Sequence, residues 1–321
     1  MKTYHFGVSS SAAYAPYVVV LLRSLEAFLS PEEEIQLHVM TSVRDQDLTR
    51  ARLEKLDNVS IYVIPSAIEE LLSFDACLIK HVDSPTFYRL FLVEEVAKQV
   101  SRLERFVHID LDMLCVGPWQ ELFTIDLESR LCAAVEDISI NELFASQDPI
   151  FANYRQDLGF VDGDRYFNAG LLVIDVPIWR KEGITATATE FLRQHPGKLR
   201  YAEQTVLNSC LRGRWKPLPY GYNHQVANRP DYRGEVIIAH YVGSKKPWSC
   251  GPMNPKAWHD RRNLPLLDHP LYQAYWRAQE ILNGMMYHHP PFVRSRLARL
   301  AKILGEIILR RKYDINCYRE P

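Results

Sequence analysis

Apolar and polar positions in the first half of the chain switch between two periods. Residues 4–8, 35–40, 59–64 and 105–109 are short apolar runs with strand character. Between them, 14–28, 45–56 and 86–96 carry apolar residues at helical spacing, with Leu48, Leu53 and Leu56 in 45–56. This β-α-β-α-β order predicts a largely parallel sheet with right-handed crossovers. Further along, 131–136 and 167–174 read as strands, and 179–193 and 202–211 as helices. Residues 137–165 are polar and irregular (Asn141, Asp148, Pro149, Asp162-Gly163-Asp164), which predicts a long functional or mobile loop. Residues 212–260, rich in Gly, Pro, Trp and Tyr, read as surface loops wrapped on the sheet. After Pro290-Pro291 the pattern changes. Val293, Leu297, Leu300, Leu304, Ile307 and Ile308 recur at helical spacing opposite Arg294, Arg296, Arg299 and Lys302, the pattern of a basic amphipathic helix.

Composition narrows this picture in a few places. At 321 residues, 47% hydrophobic and 24% charged, the chain is long enough for one large α/β domain or two small ones, with a sizeable core. Its net charge of −1 says nothing about a global preference for nucleic acid or membrane, and no nucleic-acid partner is expected. The balance hides one local asymmetry: between 292 and 313 there are seven Lys or Arg and one acid, Glu306. The six cysteines form no CxxC pair, which favours reduced, packed thiols in a cytoplasmic protein. Met1-Lys2-Thr3-Tyr4-His5 runs straight into a strand, so no signal peptide is expected, and no apolar stretch has the length of a membrane span.

The chemistry starts at Phe106-Val107-His108-Ile109-Asp110-Leu111-Asp112, an apolar strand ending in two carboxylates one residue apart. In a continuing strand both side chains would point the same way, and a turn at the strand end would let both approach one ion. Two hard oxygen donors at the carboxyl edge of an α/β sheet suit Mg²⁺ or Mn²⁺ with a phosphate ligand. The Gly-x-Gly-x-x-Gly fingerprint is absent, which argues against an ordinary NAD site. Three further motifs follow in order: Tyr166-Phe167-Asn168-Ala169-Gly170, Glu203-Gln204-Thr205, and His240-Tyr241-Val242-Gly243-Ser244-Lys245-Lys246-Pro247-Trp248.

In this order and spacing the set resembles the retaining nucleotide-sugar glycosyltransferases of family 8. These include bacterial lipopolysaccharide and lipooligosaccharide α-galactosyl- and glucosyltransferases and glycogenin. The resemblance runs from about residue 4 to about 248 and implies a GT-A type fold, a Rossmann-like, mixed but mostly parallel sheet with flanking helices. That domain would occupy 1–275, with 276–321 a basic membrane-association region. The resemblance implies a metal held by Asp110, Asp112 and His240, Mn²⁺ with Mg²⁺ as the alternative. It implies donor contacts from Val8, Ser9, Ser11, Arg89, Asp110, Leu111, Asn168, Ala169, Gly243 and Lys246. Glu203 and Gln204 match the positions nearest the anomeric carbon, and Glu136 matches an acidic residue on the sugar or acceptor side. The usual family pattern is Asp-Gln-Asp, so this chain has lengthened the first acid and put Thr205 in place of the second. The N-terminal loop also departs, with serines where relatives carry acids and an asparagine against uracil and ribose.

The implied partners are a UDP-sugar donor, a saccharide or lipid-linked saccharide acceptor, and an anionic membrane surface met by the C-terminal helix. The implied location is cytoplasmic, peripheral to the inner face of the cell membrane. The implied reaction moves an α-hexose, glucose or galactose, with retention. Three alternatives stay open: a UDP-N-acetylhexosamine donor, a catalytically weak sugar-nucleotide binding protein, and a metal-dependent phosphohydrolase using the same Asp pair.

Overall fold

The computed structural model describes residues 1–53, 56–65, 84–146, 148–195, 199–229 and 232–243. The expected strands and helices of the first half are present. They are β1 (Lys2–Ser9), α1 (Ala15–Glu26), β2 (Glu33–Thr41), α2 (Gln46–Leu53), β3 (Val59–Val63), α3 (Arg89–Gln99) and β4 (Arg105–Ile109). A 3₁₀ turn over Ser84–Tyr88 leads into α3, so the helix starts three residues later than its pattern predicts. Then come β5 (Met113–Cys115), β6 (Cys132–Glu136) and β7 (Phe167–Asp175).

The seven-stranded sheet has the order β3-β2-β1-β4-β7-β6-β8, where β8 is Trp215–Pro217. β1 pairs in parallel with β2 and β4, while β7 runs antiparallel to both β4 and β6. The sheet is therefore mixed and mostly parallel, as expected. Its central strands are buried on both faces, which is why they read as continuous apolar runs. Tyr4, Phe6 and Val8 of β1, with Val107 and Ile109 of β4, pack against Val18, Leu21, Leu22 and Leu25 of α1. Phe106 points to the opposite face, into a core with Leu90 and Val93 of α3. Gly7 makes room there, since a Cβ at this position would fall 2.2 Å from the Phe106 ring. Cys115 and Cys132 are buried free thiols, and burial pushes Cys132 up to about 12.

Three expectations need correction. The segment 137–165 is not a structureless loop. It contains α4 (Ile138–Ala145) and α5 (Pro149–Asp157), capped by Asp137, which accepts from Ile140 N, and by Asp148, which accepts from Ile150 N. The residues read as loop signals, Asp148-Pro149 above all, are a helix start. Ile140, Phe144, Tyr154 and Leu158 bury the inner faces of these helices against Phe160 and Tyr166. The predicted 179–193 helix is two, α6 (Val176–Lys181) and α7 (Ile184–Gln194), broken at Gly183 with φ +61°. The predicted 202–211 helix is present as α8 (Ala202–Leu211). Within 212–243 lie β8, β9 (His224–Gln225) and β10 (Ile238–His240), too short to show a period. β10 joins β5 and β9 in a second, three-stranded sheet. The 275/276 boundary and the basic helix of the last domain lie outside the described residues.

Candidate active site

β4 ends at Ile109 and the chain turns at once. Asp110 N donates to Gly170 O on β7 (2.8 Å), and Met113 N to Asp110 O (3.3 Å). The turn leaves Asp110 at the strand end and Asp112 immediately before β5. β5 pairs antiparallel with β10, which sets Met113 opposite His240. Tyr241 N then donates to Asp112 O at 2.9 Å and ties the two segments together.

His240 Nε2 comes to lie 3.3 Å from Asp112 Oδ1 and 4.0 Å from Asp110 Oδ2. One donor atom from each of the three residues lies within 4.8 Å of the other two. Around an ion with six bonds of about 2.1 Å, adjacent donors stand about 3 Å apart and opposed donors about 4.2 Å. The two spacings from His240, 3.3 and 4.0 Å, lie between those of adjacent and opposed donors, so these three residues could hold a small divalent cation. Gly170 is part of this fit, because a Cβ there would fall 2.4 Å from His240 Cε1 and 2.8 Å from Nδ1.

Arg89, at the start of α3, is buried behind the carboxylates. Its Nη2 donates to Asp110 Oδ1 (2.7 Å), Nη1 to Ala169 O (2.8 Å) and Nε to Thr86 O (3.2 Å), with Glu203 Oε1 3.3 Å from Nε. Burial acts to raise the Asp110 carboxyl, but the Arg89 guanidinium and the His108 hydrogen bond outweigh it and hold the group below the ordinary range. Burial, then Arg89, depress the His108 imidazole, so His108 is neutral and its Nε2–H donates to Asp110 Oδ1 at 3.3 Å. Glu203 has the opposite fate. Burial pushes it up to about 7 against the pull of Arg89, and its Oε2 is buried without a hydrogen-bond partner.

A chain of amides continues from the imidazole towards α8. His240 Nδ1 is 2.9 Å from Asn223 Oδ1, and Asn223 Nδ2 donates to Asn168 Oδ1 at 2.9 Å. Asn168 Nδ2 and Gln204 Nε2 both donate to Asp137 Oδ2 at 3.2 Å. Gln204 Oε1 accepts from Ala169 N at 2.9 Å. Asn208, one turn further along α8, bonds both the N–H and the C=O of Phe167, fastening the helix to the end of β7.

The structure therefore brings together Arg89, Asp110, Asp112, Asn168, Ala169, Glu203, Gln204 and His240. Glu136 stands apart from that network, its carboxylate paired with Arg165. Thr205 turns away from it, its hydroxyl bonded to Tyr154 Oη at 2.6 Å and accepting from Tyr201 N at 3.0 Å. At the end of β1, Val8 is fully buried and Ser9 Oγ is buried without a partner. Ser11 O caps the start of α1 by accepting from Tyr14 N and Ala15 N. Leu111 sits in the turn between the two aspartates and packs on the core, and Gly243 has φ +81°. Lys246 lies outside the described residues.

Asp137, Asn223 and His108 escaped the sequence reading. Asp137 had a signal in its place beside Glu136 at a strand end, and the cap it forms on α4 decides which of the two acids turns inward. Asn223 had none, because it lies in a segment without periodicity. Asp45 also reaches the N-terminal loop, where its Oδ2 accepts from Ala12 N at 3.1 Å.

A mixed, mostly parallel sheet with a paired-carboxylate and imidazole cluster at its carboxyl edge is the arrangement expected of a GT-A type glycosyltransferase. The chain belongs to glycosyl transferase family 8, whose description matches residues 7–250. It is 26% identical to the lipopolysaccharide 1,3-galactosyltransferase of Salmonella typhimurium, over 68% of this chain and 65% of that protein. It is 24% identical to general stress protein A of Bacillus subtilis, over 75% of this chain and 86% of that protein. Among solved structures it is similar in fold to the galactosyltransferase LgtC in complex with donor and acceptor sugar analogs. That similarity has a TM-score of 0.65 at 22% identity and covers 91% of this chain and 99% of that one. Among the described residues no helix is long and apolar enough to cross a membrane.

Proposed function

We propose that this enzyme transfers glucose or galactose from a UDP-sugar to a saccharide acceptor, with retention of the α configuration and dependence on Mn²⁺, in the synthesis of lipopolysaccharide or another surface glycan. The observation that carries the reading is the convergence of Asp110, Asp112 and His240 within 4.8 Å at the carboxyl end of β4. A mixed carboxylate and imidazole donor set suits Mn²⁺ better than Ca²⁺, with Mg²⁺ as the alternative. When bound, the cation supplies Lewis acidity that stabilises the departing diphosphate.

The residues of the chain do the rest. Arg89 holds Asp110 charged and oriented, so that the site keeps its anionic ligand in a buried setting. Gln204, fixed by Ala169 N and Asp137, presents an amide oxygen with a second lone pair at the edge of the sugar site, where it would steady positive charge growing at the anomeric carbon. In the front-face reaction the bond from the anomeric carbon to the phosphate oxygen breaks. The acceptor oxygen bonds to the same face, and its proton passes to the leaving diphosphate. Two features support this route over a double displacement. Glu203 is engaged with Arg89, and Glu136 is engaged with Arg165. The acceptor is proposed to be a saccharide, free or lipid-linked. The basic segment 276–321 is proposed as a peripheral anchor to anionic lipid on the inner membrane face.

The test is a screen of UDP-glucose, UDP-galactose and UDP-N-acetylglucosamine with Mn²⁺, with and without oligosaccharide acceptors. Turnover of a UDP-hexose that rises with acceptor and disappears in EDTA is expected. Full activity in excess EDTA, or an N-acetylhexosamine preference, overturns the corresponding part of the reading. Donor cleavage indifferent to every acceptor would point to a hydrolase.

A further inference from the structure

The buried amides between His240 and Gln204 have only one consistent polarity. Asp137, as a carboxylate, accepts only, so the Asn168 and Gln204 groups facing its Oδ2 must be the Nδ2 and Nε2 donors, at 3.2 Å each. Asn168 Oδ1 is then turned towards Gly170 N, which can only donate, at 3.0 Å, and towards Asn223 Nδ2 at 2.9 Å. That leaves Asn223 Oδ1 against His240 Nδ1 at 2.9 Å. An amide oxygen only accepts, so the proton sits on Nδ1 and the lone pair on Nε2, the atom 3.3 Å from Asp112 Oδ1. Asn223 is fully buried, and Asp137 and Asn168 are both only 6% exposed. Reversing any one amide would set oxygen against oxygen.

We propose that Asn223 and Asp137 are positioning residues that fix the tautomer of His240 and lock it to the orientation of Gln204, so that the cation site and the sugar site are set as one unit. The inference rests on the reading of Asp110, Asp112 and His240 as a cation site. The polarity originates at Asp137, whose other oxygen, Oδ1, caps α4 by accepting from Ile140 N at 3.2 Å. The α4–α5 segment, the sugar-facing amide of Gln204 and the metal-facing imidazole therefore share one carboxylate. Outer hydrogen bonds of this kind on a metal-binding histidine are worth roughly 10–100-fold in metal affinity.

Two variants separate the two halves of this role. Asn223→Leu removes the acceptor from Nδ1. Asn223→Asp, nearly isosteric, keeps that acceptor but loses the donor to Asn168. Three quantities are measured on each full-length protein: Mn²⁺ affinity by calorimetry, the His240 tautomer by ¹⁵N NMR of the metal-free protein above pH 8, and kcat with saturating Mn²⁺. Melting curves show whether each variant is folded. Wild type is expected to carry the Nδ1–H tautomer. Asn223→Leu is expected to move to Nε2–H and to bind Mn²⁺ roughly 10–100-fold more weakly. Asn223→Asp is expected to keep the tautomer and the affinity while losing kcat about tenfold, a split that general loosening of the fold would not produce.

An Nε2–H tautomer in wild type, unchanged Mn²⁺ affinity in Asn223→Leu, or the same affinity loss in both variants would overturn the proposal. If wild type bound no Mn²⁺ at all, the cation-site reading would fail. The NMR tautomer would still judge the hydrogen-bond chain by itself.

Discussion

Replacing Gly170 by alanine tests how the cation site is assembled. No left-handed backbone is required at this position in β7, so alanine adds contact and nothing else. Its Cβ would stand 2.4 Å from His240 Cε1, 2.8 Å from Nδ1 and 2.9 Å from Asn168 Oδ1. Carbon atoms in contact prefer about 3.5–4.0 Å, so the ring must withdraw by about 1.1 Å or more. Ligand distances at a metal tolerate only about 0.2 Å, so the displaced ring no longer reaches the ion that Asp110 and Asp112 hold. A loss of Mn²⁺ affinity of about 100-fold is expected, the upper end of what a disturbed histidine ligand costs. At a concentration 100 times the wild-type Kd, bound ion stabilises the wild type by about 2.7 kcal/mol, and the variant by only about 0.4 kcal/mol. The assay is paired urea denaturation of each protein in EDTA and at that fixed Mn²⁺ concentration. The metal-free pair isolates the overpacking cost, about 1–3 kcal/mol. The gain on adding Mn²⁺ isolates the ligand. If Gly170→Ala gains as much from Mn²⁺ as wild type does, the geometry assigned to His240 is refuted.

Two other expectations concern the surroundings of the site. Glu203 is raised to about 7 by burial, so its contribution to stability is fully present below about pH 4.5 and is lost as pH rises through 7. In metal-free urea denaturation, wild type should lose up to about 3 kcal/mol relative to Glu203→Gln between pH 4.5 and pH 8, and a gap that does not change with pH would contradict the assignment. Thr205→Val should leave Tyr154 Oη without its partner and cost about 1–3 kcal/mol in thermal or urea unfolding while kcat moves less than threefold, because this hydroxyl serves the aromatic cluster under α5. A large fall in kcat at unchanged stability would return Thr205 to the sugar site.

Elements whose signal is local were legible in the chain alone. β1, β2 and β4 are largely buried on both faces, so their apolar runs announce them, β3 is a short Val/Ile/Tyr run at the sheet edge, and the helices between the strands dictate parallel pairing. The Asp110–Asp112 pair at the end of β4, and its order relative to Asn168, Gln204 and His240, was legible for the same reason, since spacing along a strand and a turn is a property of the chain. Other features belong to the tertiary structure. Whether Glu136 or Asp137 turns inward depends on which of them caps α4. Whether Thr205 faces sugar or protein depends on Tyr154, which arrives from a helix 51 residues away. The raised Glu203 and lowered Asp110 differ because burial dominates at Glu203, beside the Asp110 charge, while Asp110 is held down by direct hydrogen bonds from Arg89 and His108. Asn223 acquires a role only when β9 and β10 fold beside β5, strands of two or three residues held by long-range pairing. Hydrophobic periodicity is written along the chain. The direction of a hydrogen bond, and the desolvation that sets a charge, are decided by what the fold places next to it.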